Sequence, residues 1–155
     1  MKNYDAENIN SFAVVKCYPA AFTGGTEDTR GDHNGALDPT TLFTVTGDIL
    51  VRMFGVVTTT LVGAGTIEVG VTENTAEILA QVADTTSMAT GDIWVDATVD
   101  DVRAGAFADV IATRLITNGS DIIETIGAAN ITEGRLYYIA LWKPLTPGSK
   151  LVSAI

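Results

Sequence analysis

The chain has 155 residues and a hydrophobic fraction of 46%, which excludes a disordered polypeptide and allows one domain with a substantial core. Nineteen acidic residues against nine basic ones give a formal net charge of −10, so we expect no direct nucleic-acid partner, because duplex binders cluster Lys and Arg on one face. No stretch approaches the roughly 20 apolar residues of a membrane helix, and we expect no membrane partner.

The first predicted element is a short strand between Asn10 and Tyr18, ended by Pro19. Residues 20–41 then show little periodicity and much Gly, Thr and Asp. Structureless segments of more than about twelve residues are uncommon inside a compact domain and usually contact something outside it. We therefore predict that residues 1–41 form an N-terminal strand followed by an extended arm or loop, and that residues 42–155 form the folded domain.

The stretch LFTVTGDILVRMFGVV predicts two strands that separate near Gly47 and Asp48. TIEVGV alternates strictly between apolar and polar positions and predicts another strand, as do GDIWVDATV and RLYYIALW. EILAQV fits either a strand or one helical turn, and TVDDVRAGAFADV fits a loop with one helical turn. In RLYYIALW the even-numbered side chains from Leu136 to Trp142 share one face, and the odd-numbered ones share the other.

The stretch IATRLITNGSDIIETIG contains two apolar segments on either side of Asn118 and Gly119. Both central residues of a type I′ turn need positive φ, which Asn and Gly adopt at low cost, so we predict a β-hairpin here. Strands every ~8–12 residues with polar or Gly-containing turns are typical of β-sandwiches. The predicted fold class is all-β, an antiparallel β-sandwich of jelly-roll or Ig-like type with an extended N-terminal segment.

The loop from Gly24 to Thr41 contains several candidate oxygen ligands: Asp28, Asp32, Asn34 and Asp38. Gly35 comes too early for an EF-hand and no closing Glu follows, whereas Asp, Asn and Gly are also ordinary turn formers. We predict no metal site in this loop.

The same loop contains an Arg-Gly-Asp tripeptide, Arg30 to Asp32, and the single histidine of the chain, His33. An exposed tripeptide of this kind can be adhesive, but so short a motif also occurs by chance. Cys17 is the only cysteine, which excludes an intrachain disulfide, and its strand-like context predicts a buried, inert thiol. One His and one Cys cannot build a structural zinc site.

The chain contains no G-x-S-x-G motif and no phosphate-binding loop with its Lys. The adjacent carboxylates Asp100 and Asp101 would point to opposite faces of a strand, which does not suit a glycosidase pair. We predict no catalytic residues and no cofactor.

Aromatic side chains are enriched at protein interfaces, and they occur here in the N-terminal segment and on the last strong strand. We predict a partner-binding surface that includes Phe12, Tyr18, Phe22, Tyr138 and Trp142. Packing in the sandwich core is the alternative for these residues.

The stretches FTVTGDILVR, TIEVG and NGSDI, with the closing YYIALWKPL, resemble small virion proteins of tailed bacteriophages. The resemblance covers residues 42–145 and implies a β-sandwich subunit that is used in many copies. Within this class the acidic composition and the predicted arm favour a capsid decoration (cement) protein on the outer surface of the head, made in the host cytoplasm. The expected partners are the major capsid protein and copies of the chain itself, in a homo-oligomer for which a trimer is one option.

Two alternatives remain open from the sequence. The first is a tail, baseplate or fibre component that binds its neighbours or host sugars, with Trp94 or Trp142 as the exposed aromatic of a sugar site. The second is a small hydrolase, which requires a cleft with two facing carboxylates.

Overall fold

The computed structural model describes residues 12–95, the backbone of residues 99–100, and residues 111–155. These ranges consist of strands and connecting turns, with one short 3-10 helix at Thr85–Ser87. The strands are β1 (Ala13–Cys17), β2 (Thr40–Thr46), β3 (Ile49–Val62), β4 (Thr66–Val71), β5 (Asn74–Val82), β6 (Ile93–Trp94), β7 (Val99–Asp100), β8 (Arg114–Ile116), β9 (Ile122–Gly127), β10 (Glu133–Pro144) and β11 (Lys150–Ser153).

The strands form two sheets. Sheet A has the order β1-β10-β3-β6-β7, and β8 pairs with β3 beside β6. Sheet B has the order β11-β2-β9-β4-β5. All the described strand pairs are antiparallel, which confirms the predicted antiparallel β-sandwich.

The core lies between the two sheets and follows the predicted alternation of side chains. On β3 the side chains of Ile49, Val51 and Met53 are buried, whereas their neighbours in sequence are only half-buried. On β10 Leu136 and Tyr138 are likewise fully buried. Because the side-chain period of a strand is two, one face of each strand supplies the core and the other becomes the outside of the sandwich.

The predicted break between β2 and β3 is confirmed at Gly47, whose φ is 67°. The two strands do not pair with each other, since β2 belongs to sheet B and β3 to sheet A. The predicted turn at Asn118 and Gly119 also forms, with φ values of 57° and 68°. The Gly119 N–H donates to the Gly47 carbonyl and the Asn118 N–H to the Asp48 carboxylate, so the two connections lie side by side.

The predicted β8–β9 hairpin is wrong, although its turn is right. β8 pairs with β3 in sheet A, and β9 pairs with β2 and β4 in sheet B. Turn chemistry fixes the local backbone at Asn118 and Gly119, but both flanking strands bury apolar side chains and each joins a different sheet. The Asp121 carboxylate, which accepts from the Val45 N–H, fixes the entry of the chain into sheet B.

The predicted N-terminal arm is also corrected for residues 12–41. β1 pairs with β10 along its whole length as an edge strand of sheet A. The loop after it packs on the same sandwich: the Phe22 N–H donates to the Gly134 carbonyl and the Gly24 N–H to the Ile131 carbonyl. Since β2 already begins at Thr40, residue 41 marks no boundary between an arm and a domain.

EILAQV forms a strand as part of β5. The helical turn predicted in TVDDVRAGAFADV lies outside the described residues, apart from the backbone of β7. The described residues contain no helix with the length and apolar character needed to cross a bilayer.

Two glycines with positive φ provide a test of this fold. Gly63 has a φ of 117°, and a Cβ at this position would lie 2.2 Å from the Asn130 carbonyl oxygen; Gly148 has a φ of 85° and open space around it. We expect Gly148→Ala to lower the free energy of unfolding by about 1 kcal/mol through the backbone alone. Gly63→Ala is expected to cost roughly 1–3 kcal/mol more, because a backbone contact must shift. Urea denaturation measures both, and equal costs would contradict the packing of residue 130 against this turn.

Candidate functional site

A buried ion pair joins the loop from Gly24 to Thr41 to the core of the sandwich. Arg30 Nε donates to Glu124 Oε1 at 2.9 Å and Nη2 donates to Glu124 Oε2 at 2.6 Å. Both side chains are buried, with exposed fractions of 5% and 0%. The Tyr138 hydroxyl also donates to Glu124 Oε2, and the guanidinium lies 3.9 Å from the centre of the Phe22 ring. Each of the polar groups is thereby satisfied in a site that excludes water.

The electrostatics of this cluster stabilise the charged pair. Burial on its own lowers the pKa of Arg30, but the Glu124 carboxylate outweighs burial and holds that pKa above its usual value. Burial and the same carboxylate raise the pKa of Tyr138 well above its usual value. The cluster therefore contains a guanidinium and a neutral phenol whose protons do not titrate near neutral pH. The cluster holds the loop and both sheets together.

The Arg-Gly-Asp tripeptide is not an exposed adhesive motif. Its Arg30 is committed to Glu124, and Gly31, at a φ of 101°, is buried against the Ile131 carbonyl. His33 Nδ1 hydrogen bonds to Asn130 Oδ1, which ties the next part of the loop to the β9–β10 connection. These contacts make the loop a structural part of the sandwich.

The carboxylates of the loop accept hydrogen bonds from backbone N–H groups at separate places. Asp28 Oδ1 accepts from Ala36, Asp32 Oδ1 from Asn34 and Asp38 Oδ1 from Ile126. Burial raises the pKa of Asp38. Within the described ranges, no three His, Cys, Asp or Glu side chains come close enough to one another to hold a metal ion.

The buried ion pair can be tested by removing one partner at a time. Arg30→Met and Glu124→Gln each leave unpaired polar or charged atoms in the core, and we expect each to lower the free energy of unfolding by about 3–5 kcal/mol. The control is Arg114→Met, which removes an ion pair with Glu77 at 3.4 Å whose side chains are 39% and 49% exposed. That loss should be below about 1 kcal/mol. Equal effects of Arg30→Met and Arg114→Met in urea denaturation would refute the assignment.

Cys17 lies on β1 with no exposed surface, as predicted. Burial raises the pKa of its thiol, and a hydrogen bond with Ser153 offsets this in part. Because the thiolate is the reactive species, the sulfur is protected both by its burial and by the raised pKa, which keeps it in the thiol form.

We expect iodoacetamide at pH 8 to alkylate Cys17 in the folded chain on the order of a hundredfold more slowly than in 8 M urea, because reaction requires local opening. Intact-mass analysis gives a single readout, since the chain has one cysteine. Equal rates in buffer and in urea would show that the thiol is accessible.

The structure divides the five predicted interface residues into two groups. Phe22 and Tyr138 are 1% and 0% exposed, so their assignment to a partner-binding surface is wrong. Tyr138 occupies the inward face of β10, because its hydroxyl reaches Glu124, and its neighbour Tyr137 takes the outward face instead. Phe22 is buried beneath the Arg30 guanidinium.

The side chains of Tyr18, Phe12 and Trp142 remain at least partly exposed to solvent. Tyr18 is 60% exposed, Phe12 is half-buried against the cationic groups of Arg52 and Lys143, and Trp142 is half-buried. The indole N–H of Trp142 is buried without a partner among the described residues. Trp94 is 0% exposed and cannot be the exposed aromatic of a sugar site, whereas Trp142 keeps part of its surface.

The outward side chains of sheet A are mainly apolar, and the surface that they form is here named the outer face. The strand register places on it Val14, Leu50, Phe54, Val56, Ile93, Leu115, Tyr137, Ile139 and Leu141. At its flanks Val14 and Leu115 are 57% and 60% exposed. An apolar surface on the outside of a sheet is typical of a contact with another molecule.

A groove of about 400 Å³ opens at one end of the outer face. The Tyr18 and Tyr137 rings stack at its wall, with centroids 5.1 Å apart, and Arg135 is exposed beside them. Within the described residues no carboxylate forms an ion pair with Arg135. Pro19, Ala20, Thr58 and Leu136 complete the lining. Arg135 was not predicted as a site residue, although its position two residues before Tyr137 places both side chains on the same face of β10.

The charges of the chain are distributed unevenly over the fold. The strands of sheet A contribute five basic residues and two acidic ones, namely Lys16, Arg52, Arg114, Arg135 and Lys143 against Asp100 and Glu133. The carboxylates lie mainly in loops and turns, such as Glu27, Asp28 and Glu73. A basic, apolar face on an acidic protein favours partners that are themselves acidic.

A second cleft of about 390 Å³ lies between β5 and β8. Glu73 and Glu77 line it, but Glu77 is occupied by the ion pair with Arg114 and by a hydrogen bond from Asn74 Nδ2. The cleft therefore does not present two free carboxylates across from each other. Asp100 and Asp101 have no described side chains.

Comparison with known protein families, with curated proteins and with solved structures found no match.

Proposed function

We propose that this chain is a structural virion protein, a capsid decoration protein that binds the outer surface of a tailed-phage head and stabilises it. The observation that carries the proposal is the outer face of sheet A, which combines exposed apolar side chains with Lys16 and Arg52 on a chain of net charge −10. Such a face suits a flat contact with a second protein surface. The polar contacts described above, such as Arg30 with Glu124 and His33 with Asn130, hold parts of the fold together.

The distribution of charge supports the same role. The acidic loops keep free copies soluble and apart from one another at their acidic sides, whereas the basic, apolar side is available for a shell. A shell offers many equivalent sites, so a modest affinity at each site gives a fully occupied and stabilised surface at equilibrium. Binding costs little conformational entropy, because the loop after β1 is already fixed by Arg30 and Glu124 and does not have to become ordered in the complex.

The proposal predicts binding of the recombinant chain to undecorated heads of the phage that encodes it. The test uses two exposed valines on edge strands: Val14 on sheet A is 57% exposed, and Val152 on sheet B is 50% exposed. We expect Val14→Asp to weaken binding at least about tenfold, because it buries a carboxylate in the contact, and Val152→Asp to bind as the wild type. Co-sedimentation with heads gives the bound fraction, and circular dichroism confirms that both variants are folded.

The absence of wild-type binding to heads would reject the decoration role. Binding to isolated tails instead would favour a tail component. Equal losses for the two variants would keep the shell as partner but reject the outer face as the contact.

A further inference from the structure

The groove beside the outer face has the composition of a protein-binding hot spot. Tyr and Arg are the residue types most enriched at such spots, and here two stacked tyrosines stand next to an exposed arginine. Tyr18 keeps 60% of its surface exposed although one side of its ring contacts Tyr137. The site therefore offers an apolar wall, two phenol hydroxyls and one guanidinium to an occupant that contributes an apolar side chain and a carboxylate.

The same chain contains an exposed part of a loop with that composition, here named the acidic knob and formed by Glu27, Asp28 and Leu37. Leu37 is 51% exposed, and both acidic residues are exposed as well. The Asp28 carboxylate accepts the Ala36 N–H at 2.8 Å, which brings the two parts of the loop together. The ion pair of Arg30 with Glu124 fixes the base of the loop. The knob is therefore preorganised, and docking it costs little conformational entropy.

We infer that the acidic knob of one copy docks in the Tyr18–Tyr137–Arg135 groove of a second copy of the chain. Leu37 fills the apolar wall beside Tyr18, and the Glu27 carboxylate lies against the Arg135 guanidinium. The charges are complementary, since Glu27 and Asp28 in the knob are acidic and Arg135 in the groove is basic. The inference concerns the free chain in solution, so it can fail without shell binding, and shell binding can fail without it.

The two surfaces differ, so this contact is heterologous. A symmetric contact of groove on groove would place the Arg135 side chains of both copies near each other, which costs free energy through like-charge repulsion. A heterologous contact uses one knob and one groove per copy and closes into a ring when the rotation between copies divides the circle. A ring of this kind places every copy in the same orientation on a surface.

The test is sedimentation velocity of the full chain over a range of concentrations at 50 mM and 500 mM NaCl. We expect a concentration-dependent oligomer at 50 mM NaCl that weakens at 500 mM, since salt screens the charged contact. Arg135→Glu and Glu27→Lys should each raise the dissociation constant at least about tenfold, and the double variant should return to within about threefold of the wild type. Glu73→Lys, which changes the net charge as Glu27→Lys does but lies on the turn between β4 and β5, is the matched control.

Restoration by the double variant is the decisive result, because a general effect of net charge or of folding cannot produce it. A monomeric wild type at millimolar concentration would overturn the inference. So would an oligomer that Arg135→Glu leaves intact, or one that Glu73→Lys weakens as much as Glu27→Lys. Near-ultraviolet circular dichroism of each variant shows that its core is intact, which separates loss of docking from loss of fold.

Discussion

The buried contact between Arg30, Glu124 and Tyr138 is the interaction on which the arrangement of the chain depends. Glu124 lies on β9 of sheet B, Tyr138 on β10 of sheet A, and Arg30 in the loop that follows β1. One carboxylate therefore joins both sheets and the loop. Removing two charges from water is expensive, and the two Arg30–Glu124 hydrogen bonds with the phenol offset that cost only in this geometry. The contact thus selects one position of the loop.

A fixed loop has consequences for the surface of the molecule. With Arg30 committed to the core, the loop exposes Glu27 and Asp28 to solvent. The outer face of sheet A, by contrast, is mainly apolar and carries Lys16, Arg52 and Arg135. Polar and apolar surfaces are thereby separated onto different sides of a rigid body. The proposed shell contact and the proposed contact between copies both depend on this separation.

The sequence predicted the strand content and the two faces of β10, because an alternating pattern has one physical interpretation in a two-layer sheet. It did not predict which sheet each strand joins. The turn at Asn118 and Gly119 formed as expected, yet its flanking strands separate, since pairing depends on contacts far apart in the chain. Local turn chemistry carries no information about those contacts.

The site was harder to predict than the fold. Glu124 shares its face of β9 with Ile122 and Ile126, and this was the one signal that a carboxylate would be buried. Its partner, Arg30, lies 94 residues away in a tripeptide that suggested an exposed motif. The aromatic residues were assigned to a surface by residue type. Phe22 and Tyr138 are core residues instead, because Phe22 packs against the Arg30 guanidinium and the Tyr138 hydroxyl donates to Glu124.

Hydrogen–deuterium exchange with residue resolution is the most direct test of the claim that the loop is a fixed part of the sandwich. The account predicts that the amides of Thr23 and Gly24, which donate to the Arg30 and Ile131 carbonyls, are protected to within about tenfold of the amides of β3. Exchange of these two amides at the rate of an unstructured peptide, with β3 still protected, would contradict the central role of the Arg30–Glu124 contact.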